Sequence, residues 1–416
     1  MSGGSRFIRG LFFLLALSFC LPVFAADEKE SKRTILDFPK AYKDSKHNLF
    51  PVPFFEADPA SGQRYGLMPT MLWMDPKGDV ITIAIAALTY NPKVVKLDGF
   101  AGLYVYPSPE EKLVLYFETA QNYTRDYYFD YVNENGMNGK LRFENEFEYI
   151  ADPFERFFGF GPSTSKQAET NFVSHLWSWK SQVAYEILPK LEVQLEEGWQ
   201  RLLLQPHALT SLADTATVFA NNPEVRSSNQ WLHTLSLIWD TRDSKDLPLT
   251  GNYVEPFLLL SHEPFDNATF YYGYGLRAKK LLTLKDRFTT VVSFKVSQAF
   301  GDLVPFYMQP NLGGYKNLRA FVLRRFVGRG RILLSVEERI RVKRWRLHDV
   351  NFDLSLDPFI SAGQVFNRWG DVALENLQPI GGLGFRARIA PSILGRVDVG
   401  LGREGVEVFT ALDYPF

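Results

Sequence analysis

One segment of this chain surrounds an arginine with glycines and apolar side chains, and it could therefore place a charged group in a buried site. Its central residues are Gly313, Gly314, Leu318, Arg319, Ala320 and Phe321. An arginine among apolar neighbours needs an acceptor when it is buried, because an unpaired buried charge is very costly. Consecutive glycines allow the backbone to approach another surface closely. These features are typical of a loop that packs against protein, and a solvated surface loop is the alternative.

Sequence motifs for enzymatic chemistry are missing from the chain. It contains no His-Glu-x-x-His, no Gly-x-Ser-x-Gly and no phosphate-binding loop. Its six histidines show no metal-ligand spacing. We therefore predict no enzyme activity, no metal site and no cofactor. A lipolytic Ser–His–acid cluster at the rim of a barrel is an alternative that no local motif supports.

The elements that must position the Arg319 segment show an alternating pattern. Apolar and charged side chains alternate over 141–149, 191–196 and 331–343, so each strand has one apolar and one charged face. These stretches run to about ten residues, as membrane strands require (~9–11), whereas strands of soluble sandwiches are usually ~5–6 residues long. The pattern predicts an all-β, antiparallel transmembrane β-barrel.

A count of such stretches predicts sixteen strands, an even number as in single-chain bacterial barrels. They are expected to begin near Tyr65, Asp79, Leu97, Glu111, Lys140, Thr170, Lys190, Trp231, Gly251, Thr269, Arg287, Gly330, Leu347, Pro379, Gly395 and Gly405. The long connections at 152–169, 205–230, 302–328 and 367–378 all fall on one side. The 302–328 connection, between the eleventh and twelfth strands, has about 27 residues, too many for a simple hairpin.

Both ends of the chain predict an outer-membrane location. Arg6 and Arg9 precede an apolar run from Leu11 to Leu21, and Val23–Ala25 then supplies a cleavage site, which is typical of a signal peptide over 1–25. We expect residues 26–60 to be extended or disordered and 61–416 to form the barrel domain. The chain ends on an alternating strand in which Tyr414 and Phe416 share one face, which suits a closing barrel strand that carries the insertion signal.

Composition narrows the possible partners. The net charge of -1 gives no basic excess for nucleic acid. The single cysteine lies within the predicted signal peptide, so the mature chain would contain no disulfide. The expected partners are outer-membrane lipids and the barrel assembly machinery that would insert the chain.

Several motifs, in order, resemble those of the BamA/TamA superfamily of outer-membrane assembly and translocation proteins, the bacterial surface-antigen family. The matching stretches are Phe157–Thr164, the hairpin residues Asp240, Arg242, Asp243 and Gly251, the Leu318–Phe321 loop tip, Glu337–Arg339, Gly382–Arg386 and Arg396–Gly400. The resemblance covers about residues 50–416. It implies that the 302–328 loop folds into the barrel, that the Asp240 hairpin is periplasmic, and that Arg319 lies in the lumen.

The chain departs from the family pattern at three points. Ala320 stands where the family has glycine, and Ser361, in Phe359–Gly363, stands where the family has the aspartate that pairs with the loop arginine. We expect Arg319 to bond Glu337 and Ser361 or nearby carbonyls, with Arg339 and Gly363 beside them. The chain also leaves no room for the periplasmic POTRA domains of assembly members, so it resembles a barrel-only branch.

The resemblance implies a role in assembly or translocation of outer-membrane proteins. The seam would lie between strand one, Tyr65–Trp73, and strand sixteen, Val406–Phe416, where Pro69 and Pro415 weaken pairing. An unfolded outer-membrane protein is then the expected client. The alternative is a passive pore or structural barrel plugged by its inner loop, with inward cations at Arg331, Arg339, Arg341 and Lys343 favouring anions.

Overall fold

The structure, a computed structural model, describes residues 38–92, 97–120, 124–245, 248–264, 269–285, 287–347, 350–389 and 393–411. The predicted signal peptide and the predicted insertion residues Tyr414 and Phe416 lie outside these ranges. Among the described residues, no helix is long and apolar enough to cross a membrane.

Long strands dominate the fold, which confirms an all-β architecture with antiparallel pairing. Eighteen of them, β1 to β18, each pair antiparallel with the next along the chain in one sheet. They are β1 Lys46–Asp58, β2 Gly62–Met74, β3 Val80–Tyr90, β4 Leu97–Ser108, β5 Glu111–Ala120, β6 Arg125–Asn135, β7 Leu141–Phe157, β8 Thr170–Leu188, β9 Leu191–Gln205, β10 Ser228–Asp240, β11 Gly251–His262, β12 Phe270–Leu284, β13 Phe288–Phe300, β14 Gly330–Leu347, β15 Val350–Phe366, β16 Gln378–Ile389, β17 Ile393–Gly402 and β18 Gly405–Ala411.

The short elements all lie before the sheet or in its connections. The helical turns are Phe38–Lys43, Gly136–Gly139 and Thr215–Val218, and the 3₁₀ turns are Lys166–Ala168, Trp369–Asp371 and Leu374–Asn376. Three two-residue strands complete the set, Ala213–Asp214, Asn311–Leu312 and Phe326–Val327. The first of these adds a short parallel pairing to β8, and the other two pair with each other.

The prediction of sixteen strands is wrong by two. β1 lies within the segment expected to be extended or disordered, and β6 lies between the strands predicted to begin near Glu111 and Lys140. β1 contains Pro51 and Pro53, which remove ladder donors, but a strand with one continuous partner tolerates them on its other edge. The tyrosines and aspartates of β6 hide its alternation, because Tyr128 lies on the same face as Asp126 and Asp130.

The extra first strand also moves the predicted seam. Tyr65–Trp73 belongs to β2, which pairs with β1 on one side and β3 on the other. The strand beside β18 is β1, where the Ala57 amide donates to the Thr410 hydroxyl at 3.1 Å. Between the described residues of β1 and β18 there is no backbone ladder. The weakly paired edge therefore carries Pro51 and Pro53 rather than Pro69.

The two faces of the sheet differ sharply. One face exposes large apolar side chains on almost every strand, among them Leu67, Leu88, Leu195, Leu235, Leu258, Leu282, Leu334, Ile360 and Leu401. Exposed aromatic side chains concentrate near the strand ends, including Tyr65, Tyr90, Phe117, Tyr127, Tyr272, Tyr185, Trp239 and Phe288. An apolar band between aromatic girdles is the surface that a lipid-facing barrel presents.

The opposite face is charged, and it is covered by the long connections. The connections 158–169, 206–227, 301–329 and 367–377 all leave the same end of the sheet, as the loop lengths predicted, because each follows an odd-numbered strand. The shorter turns, such as 189–190, lie at the other end. The 301–329 connection, between β13 and β14, packs onto the charged face, and we call it the long loop.

Candidate functional site

The long loop folds back on itself through a glycine turn. Asn311–Leu312 pairs with Phe326–Val327, and the Gly314 amide donates to the Phe321 carbonyl at 2.8 Å. Gly313 has a φ of 111°, and a Cβ there would lie 2.2 Å from the Val322 carbonyl oxygen. Only glycine fits this turn, so the paired glycines shape the tip that carries Arg319.

Apolar side chains fasten the tip to the charged face of β14–β16. Leu318, Ala320 and Phe321 are almost fully buried, in one cluster with side chains from the strands and the rest of the loop. The other members are Leu312, Phe326, Leu333, Phe359, Val365 and Ile380. Burial of a leucine or phenylalanine side chain contributes roughly 1.5–3 kcal/mol. The tip is therefore a packed element and not a solvated surface loop.

Arg319 lies at the centre of this contact with no exposed surface. Its Nη1 donates to Glu337 on β14 at 2.9 Å and to Asp398 on β17 at 3.2 Å. The guanidinium carbon lies 3.5 Å from the centre of the Phe359 ring on β15. A planar guanidinium can use its edge for carboxylates and its face for an aromatic ring. One loop side chain thus contacts three strands.

The carboxylates that meet Arg319 belong to a larger network. Arg386 on β16 approaches Asp398 at 2.8 Å, Asp357 at 3.3 Å and Glu337 at 3.4 Å. Arg396 donates to Asp398 at 2.9 Å and to the Tyr315 carbonyl of the loop at 3.2 Å. These contacts join β14 to β17 across the charged face.

Arg339 extends the network toward the other end of the sheet. Its Nε donates to Glu337 at 3.0 Å, and its Nη1 donates to the Pro248 carbonyl at 3.2 Å. Pro248 lies in the hairpin between β10 and β11, at the end opposite the long connections. The loop tip and that hairpin therefore contact the same carboxylate through two arginines.

The network, here called the arginine lock, places four arginines against three carboxylates. Its members are Arg319, Glu337, Arg339, Asp357, Arg386, Arg396 and Asp398, all of them buried. Buried ion pairs gain little over apolar packing, but removing one partner typically costs ~3–5 kcal/mol, because the remaining charge stays buried without compensation. The lock thus specifies where the loop docks more than it adds stability.

The main chain of the loop also sits unusually close to β17. A Cβ placed on Gly400 would lie 1.9 Å from the Arg319 carbonyl oxygen. On the adjacent strand, a Cβ on Gly382 would lie 2.3 Å from the Phe359 ring, which in turn lies under the guanidinium. These two glycines are paired in the β16–β17 ladder. They leave the space that Arg319 and its aromatic neighbour occupy.

The structure places Arg319 against Glu337 but gives it no hydrogen bond to Ser361. The Ser361 hydroxyl is buried and has no hydrogen-bond partner within the described part of the chain. The missing family aspartate is instead compensated by Asp398, two strands further along. Gly363 contacts the loop differently, because a Cβ there would lie 3.1 Å from Leu312. Ala320 does not take a positive φ, so this tip has no need of glycine there.

Asp357, Arg386, Arg396 and Asp398 were not predicted as lock residues. Arg386, Arg396 and Asp398 lie in the stretches that carry the family resemblance, which shows that a signal for them was present. A charged side chain that alternates with apolar ones on consecutive strands indicates the charged face. The sequence does not reveal the register that brings these residues under the loop tip.

A second arginine fixes the outer part of the loop. Arg325 donates to the carboxylate of Glu404 in the β17–β18 turn at 2.6 Å and to the Thr164 carbonyl at 2.7 Å. Its guanidinium carbon lies 4.4 Å from the centre of the Phe158 ring. The Gly161 amide also donates to Val327 at 2.7 Å. The glycine-rich 158–164 motif thus contacts the outer part of the loop through hydrogen bonds and an aromatic ring.

The predicted hairpin motif stabilises its own turn. Arg242 donates to both carboxylate oxygens of Asp240 at 2.9 and 2.7 Å. Asp243 accepts from the amides of Leu249 and Thr250. Gly251 has a φ of 111° and lies tight against the Thr241 carbonyl. These contacts make the motif a structural turn that also presents Pro248 to Arg339.

The described residues contain no group of three or more histidine, cysteine, aspartate or glutamate side chains arranged to hold a metal ion. The lock itself offers carboxylates, but each faces arginine side chains. Chemically, the arrangement is suited to holding a loop in place.

Comparison with known proteins was made for sequence and for structure. Residues 122–379 match the model of the Omp85 superfamily domain. No functionally characterised protein in the curated set matches the sequence. The crystal structure of BamA from Haemophilus ducreyi lacking POTRA domains 1–3 matches with a TM-score of 0.54 and 13% identity, over 91% of this chain and 76% of that one.

Two further solved structures match less closely. CdiB from Escherichia coli gives a TM-score of 0.47 at 11% identity, over 88% of this chain and 61% of that one. CdiB from Acinetobacter baumannii gives 0.46 at 11% identity, over 88% and 65%. The BamA match indicates a BamA-like arrangement of the long sheet.

We predict that Arg319→Ala lowers the free energy of unfolding by about 2 kcal/mol. This is less than the ~3–5 kcal/mol typical of a broken buried pair, because Glu337 and Asp398 keep other arginines. Urea unfolding of the purified chain in detergent, followed by tryptophan fluorescence, measures the change. The exposed Lys280→Ala is the control, and a surface change of this kind should stay within about 0.5 kcal/mol. Equal stability of the two variants would contradict the lock.

We also predict that Gly400→Ala releases the loop tip while Gly381→Ala does not. A Cβ at Gly400 meets loop backbone, whereas a Cβ at Gly381 has no atom nearer than 3.9 Å. Trypsin should then cut after Lys316, Arg319 or Arg324 in Gly400→Ala at least tenfold faster than in the wild type or in Gly381→Ala. Mass spectrometry of the fragments identifies the sites. Equal protection of both variants would show that the tip tolerates the added methyl group.

Proposed function

Because this chain belongs to the Omp85 superfamily of outer-membrane β-barrel proteins, as its motifs indicated, we propose that it assists the assembly or translocation of other outer-membrane proteins. Its active element would be the seam between β1 and β18, where a client strand could add to an open edge. Strand addition uses backbone hydrogen bonds for affinity. The observation that carries the proposal is the shortage of such bonds on the seam edge of β1.

The direction of one amide reveals which donors β1 lacks. The Ala57 amide points to Thr410 of β18, and the same hydroxyl lies 3.4 Å from the Ala57 carbonyl. Because backbone direction in a strand repeats every two residues, positions 51, 53 and 55 face the same edge. Pro51 and Pro53 have no N–H to donate there. Two of the four residues that face this edge between positions 51 and 57 therefore have no N–H to donate.

The other edge of β1 is held firmly. Its ladder with β2 runs without a register shift from Lys46 to Asp58. β1 would thus stay attached to β2 while its contact with β18 opened. This asymmetry favours a single opening line over general loosening of the sheet.

The long loop would control the seam from within the barrel. Tyr315 packs in one cluster with Phe409 and Ala411 of β18, and Arg319 and Arg396 tie the tip to Asp398 of β17. A loop docked in this way would hold the last two strands in their closed position. In this proposal the charged face of the sheet encloses the lumen and the apolar face meets lipid.

A crosslink across the seam should abolish the assembly role. Ala57→Cys with Thr410→Cys joins β1 to β18, and the only natural cysteine lies in the predicted signal peptide. In cells depleted of the natural protein, we expect this pair to restore the outer-membrane protein inventory only under reducing conditions. The control pair Leu67→Cys with Leu88→Cys joins β2 to β3, away from the seam. Full restoration by the oxidised seam pair would contradict opening.

The second candidate function, a plugged pore or structural barrel, is favoured by the interlocking connections. Arg329 pairs with Glu224, and Ser163 lies 3.4 Å from Asn376, so the long connections hold one another over one end. Such a cover would limit passage of ions. It is compatible with a barrel that never opens sideways.

Conductance in planar bilayers separates these states. We predict low, flickering conductance for the intact chain, and a steady conductance at least fivefold higher when residues 303–327 are replaced by a short Gly-Ser linker. The same linker in place of residues 368–376 is the control, because that connection lies outside the lock. A steady open channel in the intact chain would favour a passive pore and contradict plugging by the long loop.

A further inference from the structure

A second charged group on the same face plays no part in the arginine lock. Arg277 and Lys279 on β12 and Lys295 on β13 line one cavity together with Glu255 and Ser293. Arg277 and Lys295 are directly opposed in the antiparallel ladder. Directly opposed side chains have Cβ atoms about 4.5–5.5 Å apart, and like charges in that position destabilise a sheet. The pair therefore needs a compensating charge.

The protein supplies only part of that compensation. Glu255 on β11 accepts from Arg277 at 2.6 and 2.8 Å. No carboxylate in the described ranges lies within ion-pair distance of Lys279 or Lys295. The cavity is also lined by Lys316 and by Arg242, which pairs with Asp240, and Glu255 is the one carboxylate among the described lining residues. Basic side chains therefore outnumber carboxylates in this cavity.

The ammonium groups of the two lysines also contact neutral groups. Lys279 Nζ lies 5.5 Å from the centre of the Tyr253 ring, and Lys295 Nζ lies 3.3 Å from the Lys316 carbonyl oxygen of the long loop. Both side chains are half-buried. Partial burial weakens the screening of their repulsion by water. Arg331, which is on β14 and opposes Ser297, adds a further cation nearby.

We propose that this cavity binds a phosphate group as a dianion. The excess of basic side chains in the cavity favours a multiply charged anion, and lysine and arginine are the usual phosphate-binding side chains in proteins. The Ser293 hydroxyl lines the same cavity and can donate to a phosphate oxygen. The phosphate belongs either to a small soluble anion or to the headgroup of a lipid.

The site lies outside the arginine lock. The ion-pair partners of Glu337 and Asp398 are the arginines of the lock, not Lys279 or Lys295. Lys295 does contact the long loop at the Lys316 carbonyl, so trypsin cleavage of the double variant checks separately that the loop tip stays docked. The test below uses binding as its readout and needs no client protein.

Isothermal titration of the purified full chain with pyrophosphate, in a neutral detergent at constant ionic strength, is the first experiment. We expect saturable binding that weakens at least tenfold in Lys279→Gln/Lys295→Gln. The control is Lys280→Gln, whose side chain is exposed on the opposite face of the same strand. Equal pyrophosphate affinity in the double variant and the control would overturn the site.

Native mass spectrometry of the chain extracted from membranes identifies the source of the phosphate. A phospholipid retained by the wild type and by Lys280→Gln, but lost from the double variant, supports the site and identifies a lipid headgroup. Pyrophosphate binding with no such lipid supports a soluble anion. Absence of both overturns the proposal, and circular dichroism of the double variant shows whether it has folded.

Discussion

A guanidinium that leaves water must find carboxylates, and the docking of the long loop depends on that requirement. Arg319 reaches Glu337 and Asp398 only when the loop tip lies against β14–β17, because those residues sit on strands separated by two others. Apolar packing alone would accept several neighbouring positions for the tip. A buried charge is far less tolerant, because a misplaced arginine leaves both itself and two carboxylates uncompensated. The lock therefore fixes one position.

That position has consequences for the rest of the sheet. Arg396 and Tyr315 connect the tip to the last two strands. Arg339 connects Glu337, which also accepts from Arg319, to the hairpin between β10 and β11. The long loop thus touches the strand beside the seam and, through Glu337, the opposite end of the charged face. The interior of a protein transmits displacement because it is close-packed. A displacement of the strands at the seam would therefore shift contacts at both ends of the sheet.

Much of this architecture is predictable from the sequence, and what was missed has physical causes. Alternation of apolar and charged side chains identified sixteen of the long strands, because a lipid-facing surface requires it. β1 escaped detection since its two prolines and charged beginning suggested disorder. The Arg319–Glu337 contact follows from a charged strand face next to the loop. Asp398 was missed because its place depends on a register across four strands, which no local pattern records.

The prolines of β1 and the arginine lock have opposite effects on the stability of the contact between β1 and β18. Pro51 and Pro53 remove donors from the edge that faces β18, which makes a closed seam less stable than an ordinary ladder. The docked tip supports β17 and β18 from the charged face and restores part of that stability. A barrel with a complete ladder would need no such support, and one without the lock would have no defined closed state. Together, the two features describe a seam closed by side chains, and opening as proposed would break no backbone ladder between the described residues of β1 and β18.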